Sequence, residues 1–272
     1  MQCILTALKA ESLPLIQYLD LKREIKFNFP VFSRNDIYLI GTGVGKRNIS
    51  KRIGIFYDTV RGLDIQFINI GIAGGKKNIS KVGQIYLINK IIDDSLGRSF
   101  YPDILIHHSF DEKSLTTVDK TITNGGSKYD TLIDMEASEI FRVCSKIVPI
   151  HNLMFLKVVS DYLNFDKFDL NQHTISSLLI PKITIIKSIL DKFKKLRELH
   201  PIILKNKDQK WIKQVADTLS LTQTQCVNLF RISKGFRLKN PDLSFPRINL
   251  LKPVSKFERN KIFKNICEKL TT

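Results

Sequence analysis

Short apolar runs that end in glycines or acidic residues recur along the first part of the chain. Residues 37–40 run into 41–46 (GTGVGK), and residues 64–70 run into 71–75 (GIAGG). The runs have the length and composition of strands, and apolar residues at helical spacing follow the first turn from near Asn48. Repeated strand–turn–helix units predict an α/β fold with a central mixed, mostly parallel, twisted sheet flanked by helices.

Two further runs end in carboxylates. Residues 132–141 (LIDMEASEIF) pass from a buried strand into a helix through Asp134 and Glu136, and the apolar run 152–159 is followed by Ser160 and Asp161. An open α/β sheet binds its ligand beyond the carboxyl ends of its strands. Because both strand ends present an acid to the same edge of the sheet, the sequence predicts a pocket there.

Charge is distributed unevenly along the 272 residues. Residues 1–181 hold 22 Lys and Arg against 19 Asp and Glu, a net charge of +3, whereas residues 182–272 hold 21 against 7, a net charge of +14. The predicted organisation is one α/β domain over residues 1–199 and a small basic helical extension over residues 200–272. Such a field attracts polyanions. High lysine usage from an AT-rich genome is the alternative explanation.

Local patterns predict the remaining elements. A first strand over residues 2–8 is followed by a helix over 13–19 with Pro14 in its first turn. The stretch 93–114 is predicted to be irregular. The last helices are predicted over residues 175–199, with a break at Pro181, and over residues 210–219, 222–232 and 258–270, with a loop at 233–257.

Several classes of protein are excluded by composition. The apolar runs are too short and too often interrupted to span a bilayer, and no secretory signal is evident at the N-terminus. The four cysteines are scattered without a CxxC pair, which favours a reducing cytoplasm. His107 and His108 are adjacent but have no third ligand at a metal-binding spacing, so neither a metal nor a cofactor is predicted.

Over residues 2–199 the chain resembles the nucleoside phosphorylase/nucleosidase superfamily, and most closely its methylthioadenosine/S-adenosylhomocysteine nucleosidase branch. The resemblance rests on five short motifs in the family's order and spacing: residues 7–11 (ALKAE), 42–46 (TGVGK), 69–75 (NIGIAGG) with 82–84 (VGQ), 134–137 (DMEA) and 158–161 (VVSD). It implies a single phosphorylase/hydrolase-like domain, a purine nucleoside substrate and a cytoplasmic homodimer. In such a dimer Phe100 and Tyr101 would complete the 5′ pocket across the interface.

The resemblance also implies roles for three carboxylates. Cleavage of a purine N-glycosidic bond builds positive charge on the ribose and negative charge on the base. Asp161 matches the acid that protonates or hydrogen-bonds N7 of the purine, and Glu136 matches the group that binds the ribose hydroxyls, where an anion stabilises an oxocarbenium-like centre. Glu11 matches the group that positions and deprotonates the attacking water.

Other family positions predict the substrate contacts. Met135 would pack on the ribose, Ser160 would hold the Asp161 side chain, and Lys157 stands where the nucleosidases carry an arginine beside the water. Thr121 stands where an aromatic ring stacks on adenine. The remaining predicted substrate-binding residues are Thr42, Val44, Ala73, Gly74 and Ile122.

Two alternatives to a nucleosidase stay open. Phosphorylases of the superfamily hold phosphate with arginines, including one just before the second glycine loop, but residues 67–70 (FINI) carry no cation there. Without a cation a phosphate dianion is hard to desolvate, which leaves Lys46 as the candidate for phosphorolysis. Ile72 and Thr121 replace a hydroxyl residue and an aromatic residue of the family, so a catalytically impaired nucleoside-binding protein is the second alternative.

The extension allows two interpretations. Residues 214–227 loosely resemble a helix-turn-helix, with Ala216 and Ser220 near the positions of its small residues. Residues 222–225 (TQTQ) would then face a nucleic-acid groove. Alternatively, the segment is a helical hairpin packed on the first domain, and its seam is formed by Trp211, Leu219, Val227 and Phe230.

Overall fold

The computed structural model describes residues 1–60, 63–123, 125–164, 171–199, 203–247 and 253–271. The chain divides into two units, Met1–Glu198 and Leu199–Thr272. Position 200, where the predicted extension begins, lies outside the described residues.

The strands of the first unit form one mixed sheet. Its hydrogen-bonded order is β10-β6-β8-β9-β5-β1-β4-β3-β2, with β7 paired to β6 and a further pairing between β10 and β5. The strands are β1 (Gln2–Thr6), β2 (Lys22–Arg23), β3 (Val31–Arg34), β4 (Ile37–Gly41), β5 (Gln66–Gly74), β6 (Ile85–Asp93), β7 (Arg98–Phe100), β8 (Asp111–Thr117), β9 (Leu132–Asp134) and β10 (Leu153–Asp161).

The centre of the sheet is parallel. β1 runs parallel to β4 and β5, and β5 runs parallel to β10. Since β5 also pairs with β9, the strands β5, β10, β6, β8 and β9 close into a ring. The carboxyl ends of β1, β5 and β10 therefore meet at one edge, as an α/β sheet requires for a ligand site.

Helices cover both faces of the sheet, which confirms the predicted fold class. Buried side chains of α2 (Ile49–Thr59) and α3 (Ala137–Cys144) join one core cluster with residues of the sheet. Those of α1 (Lys9–Tyr18), α4 (Gln172–Leu179) and α5 (Ile183–Leu199) join the other. Pro181 lies in the 3₁₀ turn Ile180–Lys182 between α4 and α5, where the sequence predicted a break.

The predicted start of α1 is wrong. The helix begins at Lys9 rather than at residue 13, so Pro14 lies inside it instead of in its first turn. A proline has no N–H to donate to the carbonyl four residues earlier, that of Ala10. The hydroxyl of Ser176 donates to this carbonyl at 2.9 Å, which compensates for the missing hydrogen bond.

Two strand predictions also need correction. β5 continues through Gly74, where the sequence predicted a turn from Gly71 onwards. The stretch 93–114, predicted to be irregular, contains β7 and the start of β8. The first four residues of β8 (DEKS) are polar and exposed or half-buried, so the strand begins without an apolar signal.

One helical segment, Gln172–Arg197, is long and apolar enough to cross a membrane by length and composition. Part of its apolar surface is buried: Ile186, Leu190 and Phe193 are at most 2% exposed and belong to the cluster against the sheet. Ile180 and Ile185, in contrast, are 58% and 42% exposed, so burial in this unit covers only part of the apolar residues of the segment.

The second unit is helical, with α6 (Asn206–Thr218), α7 (Gln223–Lys239) and α8 (Lys256–Thr271) around a separate core. α7 continues past its predicted end at Ile232. Leu219 is buried, and Trp211 and Phe230 pack against the core, but Val227 is 40% exposed and does not belong to the predicted seam.

Candidate active site

The carboxyl ends of six strands surround one cavity in the first unit. It has about 640 Å³ of space not filled by protein atoms, counting the solvent at its open mouth. Its lining residues follow β1, β4 and β8 or lie at the ends of β5, β9 and β10. Four of them are carboxylates: Glu11, Asp134, Glu136 and Asp161.

Glu11 is fixed by backbone groups from two strand ends. Its Oε2 accepts the N–H groups of Ala7 and Leu8 at 2.8 and 2.9 Å, where β1 passes into α1. Its Oε1 accepts the N–H of Ile72 on β5 at 2.9 Å. A Cβ at Gly71 would lie 2.7 Å from the same oxygen, so the close approach of this carboxylate requires a glycine on β5.

Glu136 stands immediately before α3 and reaches the glycine loop after β4. Its Oε1 accepts the N–H of Gly45 at 2.7 Å. Gly45 has a φ of +74°, a conformation that favours glycine, so the loop can turn this N–H towards the carboxylate. The GTGVGK loop therefore holds one of the acids of the cavity.

Asp134 and Lys157 form a buried ion pair beside the cavity. Lys157 Nζ lies 2.9 Å from Asp134 Oδ2, and both side chains are at most 2% exposed. The same oxygen accepts the N–H of Ala137 at 2.9 Å, and the other accepts the Thr117 hydroxyl at 2.7 Å. With these partners Asp134 caps the start of α3.

The first unit buries more negative than positive charge at this site. Burial raises the pKa of Glu11, and Lys157 only partly opposes the shift. Burial, followed by the charge of Asp134, raises the pKa of Glu136 to about 7, against the opposing effect of Lys157. Burial acts to lower the pKa of Lys157, but the charges of Asp134, Glu136 and Glu11 outweigh it and raise the pKa. The two glutamates therefore retain their protons at higher pH than free glutamates do.

Asp161 has a partner for each of its oxygens. Its Oδ2 accepts the hydroxyl of Ser160 at 2.5 Å, and its Oδ1 accepts the N–H of Leu163 at 2.6 Å. Leu163 has a φ of +60°, which orients this N–H back towards the end of β10. The carboxylate is therefore held at the cavity in one orientation.

Lys46, the last residue of the glycine loop, is paired with carboxylates. Its Nζ lies 2.9 Å from Asp93 and 2.8 Å from Asp119. Burial works to lower its pKa, but the hydrogen bonds to Asp119 and Asp93 outweigh it and raise the pKa. None of the described residues that line the cavity is Lys, Arg or His.

Comparisons with known proteins show which solved structures share this fold. No protein-family model matches the sequence, and a search of curated proteins gives no match either. Solved structures do match. The chain carries the nucleosidase fold. The matches include the methylthioadenosine/S-adenosylhomocysteine nucleosidase of Campylobacter jejuni, at a TM-score of 0.58 and 16% identity over 70% of this chain and 98% of that one.

Two further nucleosidases agree with this result. The methylthioadenosine nucleosidase of Arabidopsis thaliana matches at a TM-score of 0.56 and 17% identity, over 71% of this chain and 95% of that one. An Asp-to-Asn mutant of the Helicobacter pylori nucleosidase has methylthioadenosine in its active site. It matches at a TM-score of 0.53 and 16% identity, over 70% of this chain and 97% of that one. The predicted resemblance to the superfamily is confirmed at the level of the fold.

Within this nucleosidase fold, ten of the twelve predicted site residues line the cavity. The exceptions are Lys157 and Thr42. The Thr42 side chain is fully buried, and its hydroxyl donates to the Thr6 carbonyl at 3.0 Å. Lys157 shares one face of β10 with Phe155 and Val159, and this face packs in the core with α2 and α3. Its ammonium contacts Asp134 from the core side and does not line the cavity. Neither residue contacts the cavity space as predicted.

The remaining predicted residues form the walls. Val44, Ala73, Gly74, Ile122, Ser160 and Met135 line the cavity, and the Thr121 hydroxyl lies 3.8 Å from the Met135 sulfur. The apolar lining residues absent from the predicted site are Ala7, Leu8, Ile72, Val118, Ile133 and Leu163. Each of these residues lies at or near a predicted strand end, and this proximity was the feature of the sequence that could have identified them. Apolar character alone does not distinguish a residue that lines a cavity from one in the core.

Proposed function

We propose that the first unit is a purine nucleosidase, which hydrolyses the N-glycosidic bond of a nucleoside similar to methylthioadenosine or S-adenosylhomocysteine. The observation that carries the proposal is the convergence of Glu11, Glu136 and Asp161 on one cavity whose described lining has no cationic side chain. The nucleosidase fold supports it, and the methylthioadenosine held by the Helicobacter pylori mutant suggests the substrate class.

The proposed acid is Asp161. As the bond between C1′ of the ribose and N9 of the purine breaks, its electron pair moves into the base, and N7 gains basicity. Protonated Asp161 gives its proton to N7, and the base leaves neutral. The Ser160 hydroxyl, 2.5 Å from the carboxylate, stabilises the anion that forms. General acid catalysis of this kind contributes about 10²–10⁴-fold.

The proposed base and electrostatic partner are the two buried glutamates. Glu136, ionised, accepts hydrogen bonds from the ribose hydroxyls and stabilises the positive charge at C1′. Glu11 accepts a proton from the water whose oxygen bonds to C1′. One proton leaves Asp161 and one arrives at Glu11, and exchange with solvent restores both groups after the products leave.

Water is a better nucleophile here than phosphate. Four carboxylates line the cavity, and a phosphate dianion would have to give up its hydration shell beside them without a cationic partner among the described lining residues. Lys46, the remaining candidate cation, is paired with Asp93 and Asp119.

The protein would act in the cytoplasm as a soluble homodimer, as the resemblance implies.

The substrate panel that tests the proposal is methylthioadenosine, S-adenosylhomocysteine, adenosine and inosine, each with and without phosphate, with release of free base as the readout. We expect base release from at least one of the first two nucleosides at equal rates with and without phosphate. Release that requires phosphate would establish a phosphorylase instead. Binding of adenine without base release from any nucleoside would establish a binding protein.

A further inference from the structure

A short turn with one left-handed residue joins α6 to α7. Ser220 has a φ of +47° in this turn, a left-handed conformation that is uncommon outside glycine. The apolar residues on both sides of it, Leu219 and Leu221, are at most 6% exposed, and Ala216 on α6 is buried at 6%. The turn therefore fixes the angle between two helices that share one core, as a groove-binding helix pair requires.

The second helix of this pair, α7, begins with an exposed polar turn. Thr222 caps it by accepting the N–H of Gln225 at 3.3 Å. Gln223, Thr224 and Arg231 are exposed, and Val227 between them is 40% exposed. We call Gln223, Thr224, Val227 and Arg231 the outer stripe of α7.

The spacing of the outer stripe places its four side chains along one face of the helix. Their chemistry matches what base edges and phosphates offer in a major groove. A glutamine amide can pair with adenine, a threonine hydroxyl donates or accepts, an apolar side chain meets the thymine methyl, and an arginine binds guanine or phosphate.

Basic side chains of α8 stand beside this turn. Gln225 Nε2 donates to Asn260 Oδ1 at 3.1 Å, which joins the first turn of α7 to the first half of α8. That half carries Lys256, Arg259 and Lys261. Residues 200–272 hold 15 Lys and Arg against 5 Asp and Glu, and one of those acids, Asp208, is buried against Arg237. The surface of the unit is therefore strongly positive.

We propose that the outer stripe of α7 binds the major groove of duplex DNA while basic residues of α8 contact the phosphates. The inference does not depend on the activity of the first unit. Duplex DNA is favoured over single-stranded RNA because the outer stripe has no aromatic ring on which bases could stack. It is favoured over an anionic membrane because three of the four side chains are polar, whereas an interfacial helix presents an apolar face.

The test is fluorescence anisotropy of a labelled duplex of about 30 base pairs, titrated with the full chain over a series of salt concentrations. The wild type should bind at about 50 mM salt, with an affinity that falls steeply as salt rises. Lys256→Gln/Arg259→Gln, which removes two basic side chains of α8, should weaken binding at least about tenfold and reduce the salt slope by about two, one for each phosphate contact. Lys51→Gln/Lys77→Gln removes the same charge from exposed sites of the first unit and should bind as the wild type does.

A second variant separates the groove-binding helix from the alternative hairpin. Val227→Glu adds a negative charge to the outer stripe at a half-exposed site, so it should abolish DNA binding and leave the fluorescence-monitored unfolding of Trp211 unchanged. The proposal is overturned if no duplex binds at low salt, or if both double variants bind equally. It is also overturned if Val227→Glu unfolds the unit, or if single-stranded RNA or phosphatidylserine vesicles bind the chain more tightly than the duplex does.

Discussion

The two units each bury an ion pair, but in the second unit the cation also donates to backbone carbonyls, whereas in the first unit further carboxylates surround it. Arg237 donates to both oxygens of Asp208, at 3.0 and 2.7 Å, and to the backbone carbonyls of residues 240, 241 and 243. Lys157 has one carboxylate partner at 2.9 Å, Asp134. Arg237 thus holds the loop that follows α7 against α6 and α7, whereas Lys157 contacts a carboxylate that lines the cavity.

This difference indicates that buried charge stabilises the fold in the second unit and adjusts the pKa values of cavity residues in the first unit. Burial raises the pKa values of Glu11 and Glu136, and the charge of Lys157, which also faces Asp134, only partly opposes the shift. For Glu136 the charge of Asp134 adds to the effect of burial, and its pKa of about 7 lies where a group can change its charge during a reaction.

The largest expected effect is the loss of turnover in Asp161→Asn. An amide cannot give the purine a proton, so kcat should fall by about 10²–10⁴ while the nucleoside still binds. Single-turnover base release and isothermal titration with methylthioadenosine measure the two quantities. The control, Asp103→Asn, changes an exposed aspartate and should keep the wild-type rate. Wild-type turnover in Asp161→Asn would remove this residue from the proposed mechanism.

Asp208→Ala should have the opposite profile, a loss of stability without a loss of turnover. It leaves the Arg237 guanidinium buried and unpaired, which costs about 3–5 kcal/mol of unfolding free energy. Trp211 is the single tryptophan of the chain and packs against Phe245 at 4.8 Å, so urea unfolding followed by its fluorescence reports this unit.

A double variant provides the control for that measurement. Asp208→Leu/Arg237→Met removes both charges and should recover much of the stability, because no unpaired charge stays buried. If Asp208→Ala unfolds at the wild-type urea concentration, the ion pair does not stabilise the unit and the contrast with the first unit fails.

The pH dependence of stability should come from the first unit. The folded pKa of Glu136 is about 7, above its ordinary value of 4.5, so the folded chain binds this proton more tightly than the unfolded chain. Stability is therefore lost as pH rises between these values. Between pH 5 and pH 8, Glu136→Gln should gain about 2–3 kcal/mol relative to the wild type.

Urea unfolding followed by circular dichroism at the two pH values measures this change, and Trp211 fluorescence from the second unit serves as the internal control. Glu268→Gln, at an exposed glutamate paired with Lys264, should show no such gain. A pH-independent difference between Glu136→Gln and the wild type would mean that Glu136 stays ionised in the folded chain across this range.

The fold and most of the cavity could be predicted from the sequence because they depend on order along the chain. The parallel strands β1, β5 and β10 bring Glu11 and Asp161 to one edge of the sheet, and no side-chain detail is needed for that. Glu136 joins them because β9 pairs antiparallel with the end of β5, at Ile133 and Gly74, a pairing that the sequence did not indicate. The glycines of β5 were harder to interpret. Gly71 and Gly74 lie within the strand, and a Cβ at these positions would meet the Glu11 carboxylate at 2.7 Å and the Leu163 side chain at 2.1 Å.

Those glycines allow close packing, and a single sequence does not distinguish this use from a turn. The position of Lys157 was misjudged for a different reason. The family comparison placed it at the water, but the alternation of side chains along β10 places it with Phe155 and Val159 on the core face. The partner that decides its position, Asp134, is 23 residues away and could not be identified from spacing.

Lys157→Met should shift the pH profile of the reaction. The charge of Lys157 lowers the pKa of Glu136, so its removal should raise that pKa. If Glu136 acts as an anion, the acidic limb of kcat/KM should move to higher pH by about one unit or more. Lys157→Arg keeps the charge and should keep the limb. An unchanged limb in Lys157→Met, in a variant with wild-type circular dichroism, would show that the reaction does not depend on this balance of charges.

The smallest expected effect is in the second unit, where Thr222→Ala removes the cap of α7. The hydroxyl of Thr222 accepts the N–H of Gln225 at 3.3 Å, and the Gln225 side chain accepts the N–H of Thr222 at 3.1 Å. Loss of this reciprocal cap costs about 1 kcal/mol, which Trp211 fluorescence can resolve in urea. Thr222→Ser keeps the hydroxyl and should retain the wild-type midpoint. Neither change should alter the stability of the first unit. A wild-type midpoint in Thr222→Ala would mean that tertiary packing alone fixes the start of α7.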